Sequence, residues 1–514
     1  MSKPIKAIGT GLVFFMILMF QVASGFSAVV ISGIIDPILI NELGVPAILV
    51  GALLGIHFLA EPLRTYVGSL SDRLSFKRLH RVPFILVGGI MLALSYPLIV
   101  LVVEQLRDPN YHHRVAGEVL NTTNYPIPIG WLLAAVAVFF FNGTGISIMG
   151  TAALSLIVDI TSEKVRGLVA AIGWTLLIAG IIFGSVISKI ILPDKEGFTF
   201  DYSSLYPIFF FVIPGIILVL IAISIAGALI KEPRHDGVLV KGRTHVNFKQ
   251  ALRVISSNVQ SRWFFFFLFA FMTFMFMRDI LAPAYTGNVF KLSVSERSGL
   301  QTTINGPLLV AMILTGLVTL KVAKQKSIYF GLAISISGIA IQAFSAFTFK
   351  VDAAAVKVYE IASQQYSNKV ITEAEFKAAR TTWDSLVNDN KNLFIAGLML
   401  MGIGLGIAVP GLIGMMMDLT DPANAALYMG TWGIGQAFGQ GLSNVLAGGA
   451  RDLAFNNFQD NLGIGYGLVF VFQGLGMVIA LWLLTHINVT EFKRLLLISQ
   501  GVEAEPSPRE VLSV

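Results

Sequence analysis

Three ionisable residues stand inside an otherwise apolar stretch: His57, Glu61 and Arg64 recur at spacings of four and three, which puts them on one face of a helix. A charge buried in hydrocarbon costs at least ~2.5 kcal/mol unless it is paired, and these three can satisfy one another. Arg278 and Asp279 form a second pair just ahead of Pro283, where a helix is expected to break. Other polar groups in apolar runs include Asn142, Thr144, Ser147, Trp432, Gln436 and a terminal carboxylate, Asp418. Such groups suit contact with a buried guest or coupling to a proton. Phosphate-cradling, zinc-hydrolase and nucleophile-elbow motifs are absent, so the chain reads as no enzyme. No cysteine is present, which excludes disulfides, thiol catalysis and cysteine metal sites, and no protein-bound metal ion is expected.

The elements that must position these residues are membrane helices. The 514 residues are 55% hydrophobic and 13% charged, with a mean hydropathy of +0.76, whereas a soluble domain carries about 25% charge. Twelve apolar runs approach the ~20 residues that cross a bilayer: 8–36, 46–70, 82–104, 128–158, 167–192, 206–230, 261–286, 298–321, 327–348, 392–417, 424–450 and 462–486. The net charge of +6 follows topology and not nucleic acid: Lys77, Arg78, Arg81, Lys164, Arg166, Lys231, Arg234, Lys321, Lys324 and their neighbours crowd the loops on the N-terminal side. Both termini are therefore expected in the cytoplasm, and the lipid bilayer is the first partner.

The stretch from Met417 to Asp452 has an earlier echo. Asp159 and Thr161 stand where Asp418 and Thr420 do, and Gly180 falls where Gly439 does. With a basic loop at 231–260, the apolar runs divide six and six. The expected fold is an all-α polytopic membrane protein, with twelve transmembrane helices in two six-helix halves around a midplane cavity, the major facilitator architecture. Its expected parts are an N-terminal half (1–230), a cytoplasmic central loop (231–260), a C-terminal half (261–486) with a non-cytoplasmic insertion (349–391), and a cytoplasmic tail (487–514). The loop after the second run adds a gating motif: Gly68, Ser71, Asp72 and Arg73, then Arg81, with Asp159, Arg166 and Asp418 in the repeat-related loops. Glycine allows close helix approach, and an aspartate there can pair with a helix terminus or with an arginine of the other half.

Longer phrases narrow the class. "ELGVPA" at 42–47, "RVPFI" at 81–85, "RDILAPAYTGNVFKLSVSE" at 278–296 and "MMDLTDPANAALYMGTWGIGQAF" from Met416 resemble the PucC family, also called the bacteriochlorophyll delivery family. The resemblance implies a multi-pass protein of a bacterial inner or photosynthetic membrane, intracytoplasmic or thylakoid. It also implies delivery of chlorophyll or bacteriochlorophyll, or help in assembling light-harvesting or reaction-centre polypeptides. A chlorophyll magnesium takes one axial ligand, and His57, well inside a run, is the candidate. Glu61, Arg64, Arg278, Asp279, Trp432 and Gln436 are the other candidate pigment or substrate contacts.

The insertion departs from that family's pattern. Thr372 and Glu375 form a capping box ahead of Phe376, Ala379, Trp383, Leu386 and Val387, which predicts an amphipathic helix on the membrane surface, over the opening or against a partner. Three functions stay open: a pigment delivery or assembly factor, a proton-coupled carrier of a small solute using Glu61 or Asp279, and a structural subunit of a photosynthetic complex. The nearly uncharged interior favours the first.

Overall fold

The computed structural model describes residues 11–56, 58, 66–67, 70–71, 74, 76–108, 125–161, 163–192, 202–234, 258–318, 324–367, 369–421, 425–459 and 461–499. These residues are helical apart from loops and an isolated bridge between Phe76 and Leu79. In chain order the helices are α1 (Gly11–Glu42), α2 (Ala47–Ile56), α3 (Val82–Glu104), α4 (Ile129–Ile160), α5 (Glu163–Ile191), α6 (Tyr202–Lys231), α7 (Val259–Asn288), α8 (Val294–Val318), α9 (Lys324–Thr348), α10 (Ala353–Ser367), α11 (Glu373–Asp418), α12 (Ala425–Asn457), α13 (Leu462–Thr485) and α14 (Val489–Ser499). Among the described residues nine are long and apolar enough to cross a membrane; α2 is apolar but short, and α8 and α12 are not among the nine.

Two features explain how this sequence folds as it does. Apolar side chains surround the helices on all sides, so their outer faces stay apolar: Leu86, Ile90, Leu94, Leu98 and Leu101 on α3 and Leu475, Ile479 and Trp482 on α13 are exposed, as a lipid-facing surface requires. Inner faces carry glycine where backbones touch. A Cβ on Gly88 would lie 2.5 Å from the Met149 amide, and one on Gly331 would lie 2.6 Å from the Ala408 amide. The α3–α4 crossing thus recurs as the α9–α11 crossing. Proline adds local widening: wide helical turns at Ile38–Glu42 and Ile208–Val212 each follow a proline, Pro37 and Pro207, that cannot donate to the ordinary ladder.

Packing sorts the helices into an early and a late set. α1 packs on α5 and α6, and α3 on α4 and α6; α9 packs on α11 and α13, α8 on α11, and α7 on α12 and α13. The sets meet where α2 lies on α12, where α5 lies on α8, and where the last turns of α1 reach α7 and α8.

Two expectations are corrected here. Helix α7 does not end at Pro283; it is irregular at Met277 and then continues through Pro283 to Asn288. Ala282, Pro283, Ala284 and Tyr285 are all buried, and the surrounding protein holds the segment helical despite the missing donor. Nor is the insertion helix a separate element on the surface. The Thr372 capping box is present, but α11 then runs unbroken for 46 residues, about 69 Å at 1.5 Å per residue, against a hydrocarbon core of ~30 Å. Its first turns stand clear and pair with α10. Trp383 and Val387 are buried there, with Trp383 stacked on Tyr359 at 5.1 Å and its indole N–H donating to the Phe290 carbonyl at 3.0 Å. Burial, with Asp384 and Glu296 nearby, pushes the Tyr359 phenol up.

Candidate gating site

At the end of the bundle that carries the start of α1 and the terminal helix α14, each set is tied to itself. Arg81, the N-cap residue of α3, is buried; its guanidinium donates to Asp159 at the end of α4 from Nε (3.1 Å) and Nη2 (3.0 Å), and also to Ser71. Glu232, at the end of α6, accepts from the backbone amides of His80, Arg81 and Val82 and so caps α3 with a negative charge. In the late set Lys324, at the start of α9, pairs with Asp418 at the end of α11 at 2.8 Å. Thr161 and Thr420 both donate back to the carbonyl four residues earlier, Ile157 and Met416. Gly180 meets the Val22 carbonyl of α1, and Gly439 meets the Phe269 carbonyl of α7. Asp159 and Asp418 thus end their helices alike, each paired with the basic residue that opens a neighbouring helix of its own set. The expectation that the loop aspartate, Asp72, pairs with a helix terminus or with the other half lies outside the described residues.

The far end is built the other way. Glu42, closing α1, pairs with Arg297 of α8, and both side chains are almost sealed, at 3% and 1% exposed. Asp452 of α12 caps α2 from across the interface, accepting from the Ala47 amide at 3.0 Å and the Ile48 amide at 2.8 Å. Arg451 binds Asp452 at 3.0 Å, lies 4.3 Å from the Phe455 ring and donates to Tyr466, which also accepts from Asn288 at 2.7 Å. Ser185 of α5 donates to the Ser298 carbonyl at 2.6 Å and Ser295 of α8 to the Lys189 carbonyl at 2.9 Å. Glycines bring the backbones together: a Cβ on Gly51 or on Gly448 would sit 2.1 Å from the carbonyl oxygen of Asn444 or of Ala47.

Deeper in the same region lies Asp36, 1% exposed, whose two carboxylate oxygens find no hydrogen-bond partner among the described residues. It is within electrostatic reach of Asp279 on α7, Arg297 on α8 and Arg451 on α12. Asp279 itself pairs with Arg278 at 3.4 Å and accepts from Gln301. The expectation of a nearly uncharged interior is thereby corrected: charge is buried between the sets, supplied by residues at the ends of apolar runs. The insertion joins this region, since Arg380 binds Glu296 at 2.9 Å, next to Arg297, and Lys291 binds Glu360 at 2.9 Å.

Of the sequence candidates, His57, Glu61, Arg64, Gly68, Asp72 and Arg73 lie outside the described residues, as does the side chain of Arg166. Arg278 and Asp279 join the buried cluster. Trp432 is fully buried, edge-on to Phe264 at 4.9 Å, with its N–H donated to Thr420 at 3.3 Å; it holds the start of α12 against the end of α11, and presents no surface to a guest. Gln436 faces the Met416 sulfur at 3.8 Å, also between α12 and α11. Sequence reasoning passed over Asp36, Glu42, Arg297, Arg451 and Asp452 as site residues. The available signal was their place beside the apolar runs, with Asp36 within one.

The comparisons with known proteins agree with this fold. A family model described as "PUCC protein" matches residues 34–364 and 370–492. The chain is 24% identical to the "Bacteriochlorophyll synthase 44.5 kDa chain" of Rhodobacter capsulatus over 91% of its length and 93% of that protein's. It is 25% identical to "Protein PucC" of Rhodobacter capsulatus over 90% of its length and 89% of that protein's. Among solved structures, a mutant of the nucleoside transporter NupG superposes with a TM-score of 0.56 at 10% identity, covering 92% of this chain and 99% of that one. The fold is that of the major facilitator transporters.

Proposed function

This chain belongs to the PUCC protein family, and on that premise we propose that it delivers a chlorophyll-type pigment, or helps assemble the polypeptides that receive one, by a transporter-like cycle without catalysis. The observation that carries the reading is a pigment-linked family match along nearly the whole chain, on a facilitator fold whose two helix sets meet through separable polar contacts. Early and late sets correspond to halves 1–230 and 261–486 of a twelve-helix protein, with the 231–260 loop and both termini in the cytoplasm of a bacterial inner or photosynthetic membrane. The far-end contacts close the non-cytoplasmic side. Arg81–Asp159 and Lys324–Asp418 brace each half internally at the cytoplasmic side. Light-harvesting or reaction-centre polypeptides are the partners this reading requires, and His57 the first pigment ligand to test.

The test is the absorption spectrum of the detergent-purified protein from its native membrane, with co-purifying polypeptides identified in the same sample. A stoichiometric long-wavelength chlorophyll band is expected. Loss of the band in His57→Ala would place the pigment in the second run. A colourless protein without photosynthetic partners would sink the reading.

One observation favours a second reading, a proton-coupled carrier: Asp36 on α1 is a buried carboxylate and Asp279 on α7 a partly buried one, within electrostatic reach of each other where the halves meet. Proton movement in vesicles that Asp36→Asn abolishes would promote it.

A further inference from the structure

We propose that His486 is an axial ligand for the central metal of a magnesium chlorin held on the outer face of α7 and α13; the inference rests on the pigment reading above and gives it a site among the described residues. His486 follows the last turn of α13 and is exposed. Its Nδ1 lies 3.1 Å from the Trp482 carbonyl and 3.1 Å from Thr485 Oγ1. The Thr485 hydroxyl spends its own proton on that same carbonyl, at 2.7 Å. Both neighbours of Nδ1 are thus acceptors, which fixes the proton on Nδ1 and leaves the lone pair on Nε2. No described residue bonds to Nε2. An imidazole oriented through Nδ1–H to a backbone carbonyl, with Nε2 bare, is the arrangement in which histidine binds metals.

The ring is also held sterically. It stacks on Trp263 of α7 at 4.5 Å and 26°, and meets Trp482 at 4.7 Å and 64°. Beyond the two indoles the outer surface is apolar, with Ile479, Leu475 and Phe266 exposed. That surface gives a flat macrocycle and its hydrocarbon tail something to lie on. A C-terminal helix cap alone would account for the Nδ1 bond, and interfacial tryptophans alone for the indoles. Together they produce an oriented, exposed imidazole beside an apolar outer surface, which neither role requires. Magnesium in a chlorin takes one axial ligand, so binding exchanges a weakly held water for the imidazole: one Mg–O bond breaks and one Mg–N bond forms, with no proton or electron transferred.

The experiment uses the full chain in detergent, titrated with magnesium chlorophyllide and, separately, with the same chlorin lacking metal. Binding is read from tryptophan fluorescence and from the shift of the chlorin bands. The wild type is expected to bind the magnesium form at least tenfold more tightly than the metal-free form. His486→Phe is expected to lose that preference, and His486→Asn, which can still donate to the Trp482 carbonyl, to lose it while melting like the wild type. Equal binding of both chlorins by the wild type, or an unchanged metal preference in His486→Phe, overturns the inference and leaves the pigment reading standing. No chlorin bound by the wild type, together with a pigment-free native preparation, overturns both.

Discussion

At the far end of the bundle Arg297 reaches from α8 to Glu42 on α1 with both partners almost sealed, whereas at the terminal end Lys324 and Asp418 join two late helices with 45% and 32% of their side chains exposed. The first pair spans the two sets; the second stays within one. An ion pair out of water is costly to make and more costly to leave half made, while an exposed pair contributes little. The position of each pair, and not its number of charges, decides which end acts as a lock. The far end also adds what an exposed pair lacks: a helix cap supplied by Asp452 from the opposite set and backbone contacts at Gly51 and Gly448.

Removing one partner of the lock has the largest expected effect. Arg297→Ala leaves Glu42 charged and buried, and should cost about 3–5 kcal/mol in thermal unfolding in detergent. Arg297→Met combined with Glu42→Leu should recover most of that loss, because the desolvation cost goes with the charges. If the single and double variants melt alike, the pair is not the lock. Next comes backbone contact. Gly448→Ala puts a methyl against the Ala47 carbonyl, 2.1 Å away before relaxation, and overpacking of this kind costs about 1–3 kcal/mol. Gly215→Ala on α6, where a Cβ meets nothing within 4 Å, should stabilise by about 0.5–1 kcal/mol. Equal effects at the two positions would mean that α2 and α12 do not touch as described.

Much of the fold was legible because lipid allows few solutions. Apolar length gave the helices, and each of the expected runs contains one. The Asp159/Asp418 echo gave the repeat, down to the Thr161 and Thr420 back-bonds. The buried cluster was harder to see. Asp36 lies inside an apolar run, but Glu42, Arg297, Arg451 and Asp452 fall near predicted span ends, where charge is ordinarily solvated. Only tertiary packing shows that α8 and α12 bring those ends together between the sets. The insertion was legible in part: the capping box marks where the helix starts, but nothing in residues 376–387 says that the helix continues into the next span. Histidine was weighed by depth: His57 drew attention as the one well inside a run and lies outside the described residues, whereas His486, exposed at a helix end, was passed over.

The smallest effects test the terminal end, where the two sets repeat one another unequally. Gly88 follows Arg81 at the same distance as Gly331 follows Lys324, and Asp159 and Asp418 stand equally far beyond Gly145 and Gly404. The pairs are therefore counterparts, but Arg81 is 1% exposed with several hydrogen bonds and Lys324 is 45% exposed with its ammonium on Asp418 and the Gly414 carbonyl. Arg81→Ala should cost roughly 1.5–3 kcal/mol, the range for hydrogen bonds to a charged group. Lys324→Ala should cost ~0–1 kcal/mol and lose even that in high salt. Neither should loosen the far end, which can be read from a disulfide between cysteines placed at Ile48 and Gly449, where a Cβ built at 449 would lie 3.9 Å from Ile48 Cγ1 across the α2–α12 interface. Cross-linking in Arg81→Ala that matches the parent would keep the two ends mechanically separate. A loss of cross-linking would show that the brace on α3 and α4 is transmitted through the early set to the lock, and the contrast between the ends would have to be given up.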